Sequence, residues 1–168
     1  MKKLTNILLF TLLISVAMSA QKTKEAVLKK LDSQTEKYGS IAMQIWNLAE
    51  MGYLEEQSSS LLQETLIKEG FTIKKGVANI PTAFVAEYGS GLPIIAILGE
   101  FDALPGLSQQ AIPEKKSANG NAGHACGHHL FGTASAAAAI SVKQWMQSTK
   151  QKGTIRFYGC PAEEGGGA

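Results

Sequence analysis

Between Thr23 and Met51 the apolar residues Val27, Leu28, Leu31, Tyr38, Ile41, Ile45, Trp46 and Ala49 recur mostly at three- and four-residue spacing. That period puts one apolar stripe on one face and predicts an amphipathic helix, with Gly39 as a candidate interruption. A second helix is expected from Glu55 to Glu69, with Leu61, Leu62, Leu66 and Ile67 on one side and Gly70 as its stop signal. The pattern then changes. Phe71 to Lys75 and Thr82 to Tyr88 read as strands, and Gly89-Ser90-Gly91 as a turn. Pro93 to Leu98 is a continuous apolar run, the kind a sheet buries on both faces. After Asp102 comes a long stretch rich in Gly, Ser, Gln, Pro and Asn, and loops of that length inside a domain are usually functional. Leu130 to Gln147 predicts a helix containing the small segment Ser135-Ala136-Ala137-Ala138-Ala139, and Gly153 to Gly159 predicts a last strand.

Strand, long loop, helix and strand in succession form a βαβ unit. The expected class is therefore α/β, a mainly parallel sheet flanked by helices. Ligands in such sheets gather beyond the carboxyl ends of the strands. Asp102 follows one strand, a histidine cluster precedes the helix, and Glu163-Glu164 follow the last strand. All three are expected at one edge.

Composition bounds the rest. A chain of 168 residues, 45% hydrophobic and 18% charged, has globular values and room for a core. Lys2 and Lys3, the apolar run from Ile7 to Met18, and the small residues Ala17, Ser19 and Ala20 have the layout of a secretory signal peptide. Residues 1–20 are assigned to it, with cleavage after Ser19 or Ala20, and residues 21–168 to the catalytic part. The run is too short to span a bilayer, so no stable membrane anchor is expected. The protein is expected to be exported, to the periplasm or beyond the cell. Without Lys2 and Lys3 the sixteen Lys and Arg become fourteen, equal to the fourteen Asp and Glu. No basic cluster remains to follow a phosphate backbone, which argues against nucleic acid as a partner. The two cysteines, Cys126 and Cys160, can be read as a disulfide of an exported chain, or Cys126 as a metal ligand.

The chemistry is concentrated in two clusters. All three histidines and one cysteine lie in Gly123-His124-Ala125-Cys126-Gly127-His128-His129, and Pro161-Ala162-Glu163-Glu164-Gly165-Gly166-Gly167 follows the last strand. Imidazole, thiolate and carboxylate are the usual ligands of zinc and its neighbours. A glycine turn just ahead of a helix can aim Cys126 and His128 at one ion, and the helix N-terminus favours a thiolate. In an extended segment the side chains of Glu163 and Glu164 diverge, one toward a metal and the other toward a water. Metal-assisted hydrolysis needs that division. Singly, each cluster is as easily a surface patch or a solvated turn; together at matching strand ends they are a stronger signal.

These clusters carry a family resemblance, together with Ile80-Pro81-Thr82-Ala83-Phe84-Val85-Ala86-Glu87-Tyr88-Gly89, Gly99-Glu100-Phe101-Asp102-Ala103-Leu104-Pro105-Gly106-Leu107-Ser108-Gln109, and Ile45-Trp46-Asn47-Leu48-Ala49-Glu50. The chain resembles the dinuclear metallohydrolases that include aminoacylases and glutamate carboxypeptidases, within the branch of indole-acetyl-amino-acid hydrolases. The resemblance implies Glu163 as general base and proton shuttle, with Cys126, His128 and Glu164 as metal ligands. It implies Asp102 as the group that orients the site. Glu100 stands where other branches have a ligand histidine and is not counted as a ligand; the roles of His124, His129 and Cys160 stay open.

The resemblance further implies two divalent ions in a complete site, zinc or manganese, with cobalt as another option. The substrate would be a small N-acyl amino acid or a dipeptide, and the full-length enzyme a dimer. Relatives continue for a few hundred residues and supply further histidine ligands there, so the sequence reads as an N-terminal fragment, the first half of such a catalytic domain. The fragment is expected to bind metal weakly and to be inactive alone. The alternatives are a dipeptidase or carboxypeptidase of the same family, and a non-catalytic metal-binding or interaction module.

Overall fold

The computed structural model describes residues 24–166. The expected signal peptide lies outside the described residues. The chain divides into two units, Met1–Thr35 and Glu36–Ala168. In the first, residues 24–32 are helical and end in a turn at 33–34. There the Ser33 hydroxyl donates to the Lys30 carbonyl at 2.7 Å, the local bonding by which serine competes with helix propagation.

In the second unit, α1 (Thr35–Leu48) runs through Gly39 without a break and buries Tyr38, Ile41, Ala42 and Ile45. The interruption expected at Gly39 falls instead at Ser33 and Gln34. A lone glycine costs a helix only about 1 kcal/mol, and the buried face outweighs it. α2 (Glu56–Lys68) begins under the Glu50 carboxylate, which accepts the backbone N–H of Gln57 at 3.0 Å and of Ser58 at 2.8 Å. Those are donors that a helix start leaves without intrahelical partners. It stops at Gly70, whose φ of +87° suits glycine, as the sequence predicts.

Four strands form the main sheet: β1 (Thr72–Lys75), β2 (Phe84–Ser90), β3 (Ile94–Glu100) and β6 (Gly153–Cys160), in the order β1-β2-β6-β3. β3 and β6 are parallel, joined through α3 (His128–Thr149). β1 with β2 and β2 with β6 are antiparallel. The α/β class holds, but the sheet is mixed, with one parallel pairing of three. β6 inserts between β2 and β3, which are consecutive in sequence, so only the βαβ crossover yields a parallel pair.

β3 also differs from expectation. It is an edge strand, and Ile94, Ile95 and Leu98 are exposed among the described residues. Its carboxyl end is tightly covered. A Cβ on Gly132 of α3 would lie 2.4 Å from the Glu100 carbonyl oxygen, so glycine is required where helix and strand meet. Ala136, Ala137 and Ala139 are buried beside it, as the small segment suggested. Phe84, Phe101, Phe157, Ile45, Leu62, Leu66 and Ile140 are fully buried and make the core.

The long stretch after Asp102 is pinned at its base. β4 (Leu104–Pro105) and β5 (Ala122–Gly123) pair antiparallel, and the Gly106 N–H donates to the Asn121 carbonyl at 2.7 Å. Two residues per strand are too few to leave a periodic signal in sequence.

Candidate metal centre

The parallel pair places the chemistry. Glu100 ends β3 in register with Cys160 at the end of β6, and His128 opens the helix between them. The N–H groups of that helix start and the carboxyl ends of both strands therefore face one region, as the topology predicts. The turn carrying Glu163 and Glu164 is a single 3₁₀ turn, Glu163–Gly165, rather than the extended segment expected. Ala162 enters it in the left-handed region, φ +57°, which turns both carboxylates toward His128 instead of splitting them across a strand.

His128 is the centre of the arrangement and is buried. Its Nδ1 lies 2.7 Å from Asp102 Oδ1, and its Nε2 faces Glu100 Oε2 at 3.1 Å, Glu163 Oε2 at 3.7 Å and Glu164 Oε1 at 3.9 Å. Asp102 is itself 1% exposed, and its second oxygen accepts the Glu164 N–H at 3.0 Å. One carboxylate thus fixes the imidazole and the turn together. Cys126 is exposed, just ahead of the helix, and its thiol is held above the usual range, foremost by its hydrogen bond to Glu164. The Glu100 carboxyl is also pushed up, first by burial, with Glu163, Asp102 and Glu164 adding to it and His128 opposing.

Two overlapping donor triads result, Cys126-His128-Glu164 and Glu100-His128-Glu163, each with its ligand atoms within 4.8 Å of one another. The first is the ligand set named from sequence. Among the described residues, His128 is the only ion-pair partner of Glu100, Glu163 and Glu164. Three converging carboxylates, an imidazole turned toward them and a thiol make a donor set that fits a divalent cation. Glu100, left out by the sequence reading, comes closest to His128 Nε2. Its signal was an acidic residue two before Asp102 at a strand end.

The other two histidines go elsewhere. His124 is buried, with Nε2 3.1 Å from the Ile45 carbonyl oxygen, and burial lowers its pKa. His129 stands edge-on to Trp46 at 4.8 Å between ring centroids, and burial pushes it down to about 4. Both are neutral interior groups around Trp46. Cys160 is a free thiol, as is Cys126, so the disulfide alternative is not formed.

Comparison with known proteins gives the family. Residues 96–168 match the model of peptidase family M20/M25/M40. Over 138 residues the chain is 49% identical to one of the subunits of p-aminobenzoyl-glutamate hydrolase from Escherichia coli (strain K12), covering 81% of this chain and 29% of that protein. The chain belongs to the M20 peptidase family. It is also 28% identical over 165 residues to Xaa-Arg dipeptidase of Mus musculus, covering 91% of this chain and 35% of that one. Among solved structures it is similar to a dinuclear metal-binding peptidase of the M20 family from Bacillus subtilis, at a TM-score of 0.67 and 27% identity, covering 79% of this chain and 37% of the other. The chain spans about a third of the length of the curated M20 relatives it matches.

Proposed function

We propose that this chain serves a metal-dependent amidohydrolase reaction, cleaving the amide bond of an N-acyl amino acid of the aminobenzoyl-glutamate type. The substrate class comes from the name of the relative matched at 49% identity. The observation that carries the chemistry is His128, tied by Asp102 at Nδ1 and facing three carboxylates at Nε2.

A divalent ion bound here, zinc or manganese, supplies Lewis acidity toward the scissile carbonyl and lowers the pKa of water. Cys126, His128 and Glu164 would hold it, with Glu100 as a further oxygen donor. Asp102 keeps the imidazole in the tautomer that leaves Nε2 free for the ion. Glu163, exposed at the mouth of the cluster, takes a proton from the attacking water and returns it to the leaving amine. With Cys126 and Glu163 open to solvent, the 168 residues bind an ion weakly and give no turnover by themselves.

Chelator competition with zinc separates the roles. Cys126→Ser and Glu164→Gln should each weaken binding at least about 10-fold, and Glu163→Gln clearly less than either. Equal loss in Glu163→Gln would remove the base assignment; no loss in the other two would remove the site. Turnover of an N-acyl amino acid by the 168 residues, abolished in Glu163→Gln, would overturn the inactivity. The similarity to Xaa-Arg dipeptidase supports a second reading, a dipeptide substrate. A panel of dipeptides against N-aroyl amino acids distinguishes the two.

A further inference from the structure

Glu55 is a fully buried carboxylate outside the donor cluster. It sits in the connection between α1 and α2, far in sequence from the turn that carries Glu163 and Glu164. Its two oxygens nevertheless reach that region. Oε1 accepts the Ala162 backbone N–H at 2.7 Å, and Oε2 accepts the Thr82 hydroxyl at 3.1 Å. Thr82 is buried too, and its carbonyl takes the Ser59 hydroxyl at 2.7 Å, which ties the strand entry to α2. Burial holds the Glu55 carboxyl above its usual range, so ionising it there has a cost, and the chain keeps it.

The residue that Glu55 grips is the one whose backbone sets the site. Ala162 is not glycine, yet it occupies the left-handed region at φ +57°, ψ +37°, immediately ahead of Glu163 and Glu164. An L-residue adopts that conformation where its surroundings impose it. The same connection passes close beside it, at Gly52. A Cβ on Gly52 would lie 2.9 Å from the Ala162 Cβ and 3.9 Å from Asp102 Oδ2. Ala162 is therefore fixed by a buried acceptor on its N–H and by a close backbone neighbour on its side chain.

We infer that Glu55 is a positioning residue of the metal centre: its buried carboxylate, through the Ala162 N–H, holds the turn that aims Glu163 and Glu164 at His128. The inference rests on the proposed metal site. Asp102 grips the same turn one hydrogen bond further along, at the Glu164 N–H. Two carboxylates from different elements thus hold successive parts of one turn, Glu55 before the base and Asp102 at the ligand.

The test uses the full 168-residue chain and Co(II) as the probe, because thiolate-to-cobalt absorption and the visible bands report the ligand set directly. Glu55→Gln keeps an acceptor for the Ala162 N–H. Glu55→Leu removes it while filling the space, and Glu55→Asp keeps the charge but is too short to reach. Glu164→Gln is the marker of the site itself. The expected result is a loss of Co(II) affinity of about 10- to 100-fold with an altered spectrum in Glu55→Leu and Glu55→Asp, and near-native binding in Glu55→Gln. Should Glu55→Leu fail to fold, the comparison of Glu55→Asp with Glu55→Gln decides. Unchanged affinity and spectrum in a folded Glu55→Asp or Glu55→Leu, or equal loss in Glu55→Gln, overturns the inference. If Glu164→Gln also binds as the wild type does, the failure belongs to the metal site and not to Glu55.

Discussion

At the scale of single residues, three histidines within seven positions were legible as chemistry and the motif singled out His128, but the places of His124 and His129 were not legible. His128 turns toward the carboxylates, whereas His124 bonds to the Ile45 carbonyl and His129 packs on Trp46. Adjacent helix positions point about 100° apart, so His128 and His129 cannot serve one ion together. The glycine turn and the motif pointed to His128, whereas the packing of His129 on Trp46 depends on how α3 lies in the fold. Asp102 shows the same limit. Its motif named it as an orienting group, while its second bond, to the Glu164 N–H, needed the fold. That double duty makes Asp102→Asn informative. An amide can accept with one oxygen only, and its NH₂ would then face either the Glu164 N–H or the Nδ1–H of His128, donor against donor. The variant should lose about 1–3 kcal/mol of stability from the unsatisfied buried donor and bind zinc about 10- to 100-fold more weakly. Urea unfolding and chelator competition measure the two effects. A variant with native zinc affinity would show that Asp102 does not position the site.

At the scale of elements, periodicity located α2, α3 and the strands of the main sheet to within a few residues, but it ran the helix at 24–32 into α1 and read Gly89 and Ser90 of β2 as a turn. It did not give their company. The apolar run around Ile94 to Leu98 reads the same in a central strand as at an edge, because hydrophobicity reports what a strand is suited to bury and not what covers it. Gly132 at the crossing of α3 and β3 was equally silent, since a glycine in a helical pattern shows only a small loss of propensity. α1 offers a test of burial at this scale. Its inward face carries Tyr38, whose phenol is pushed up to about 12, first by burial and then by Glu69. The unfolded phenol titrates near 10. The folded state therefore holds its proton more tightly. The stabilisation is complete below pH 10, fades as pH rises toward the folded value of about 12, and is absent above it. Urea midpoints followed from about pH 9 to 12 should fall more steeply for the wild type than for Tyr38→Phe, which has no phenol to ionise. Parallel curves would mean that α1 does not bury this group.

At the scale of the whole molecule, the family was readable because its motifs are short, dense and tied to strand ends. The paired glutamates, Gly-His-Ala-Cys-Gly-His and Glu-Phe-Asp-Ala-Leu-Pro keep the order that a βαβ crossover needs to bring them together. The antiparallel pairing of β2 with β6 was not readable, because pairing partners far apart in sequence leave no mark on either strand. The N-terminal region poses a different question, since its reading rests on sequence alone: two lysines, an apolar run and small residues before Gln21. Each feature has a physical role in export. The positive end orients the segment, the apolar run enters the translocation path, and small side chains admit the peptidase. If that reading holds, the mature chain carries no Lys2 or Lys3, and its basic and acidic residues balance at fourteen each. The protein would then be found outside the cytoplasm, with Cys126 exposed there as a free thiol. Fractionation of expressing cells followed by intact-mass measurement tests this directly. The expected product begins at Ala20 or Gln21 and appears in the exported fraction. A chain that retains Met1 to Ala20 and stays with the cytoplasm would sink the export reading and leave the metal centre untouched.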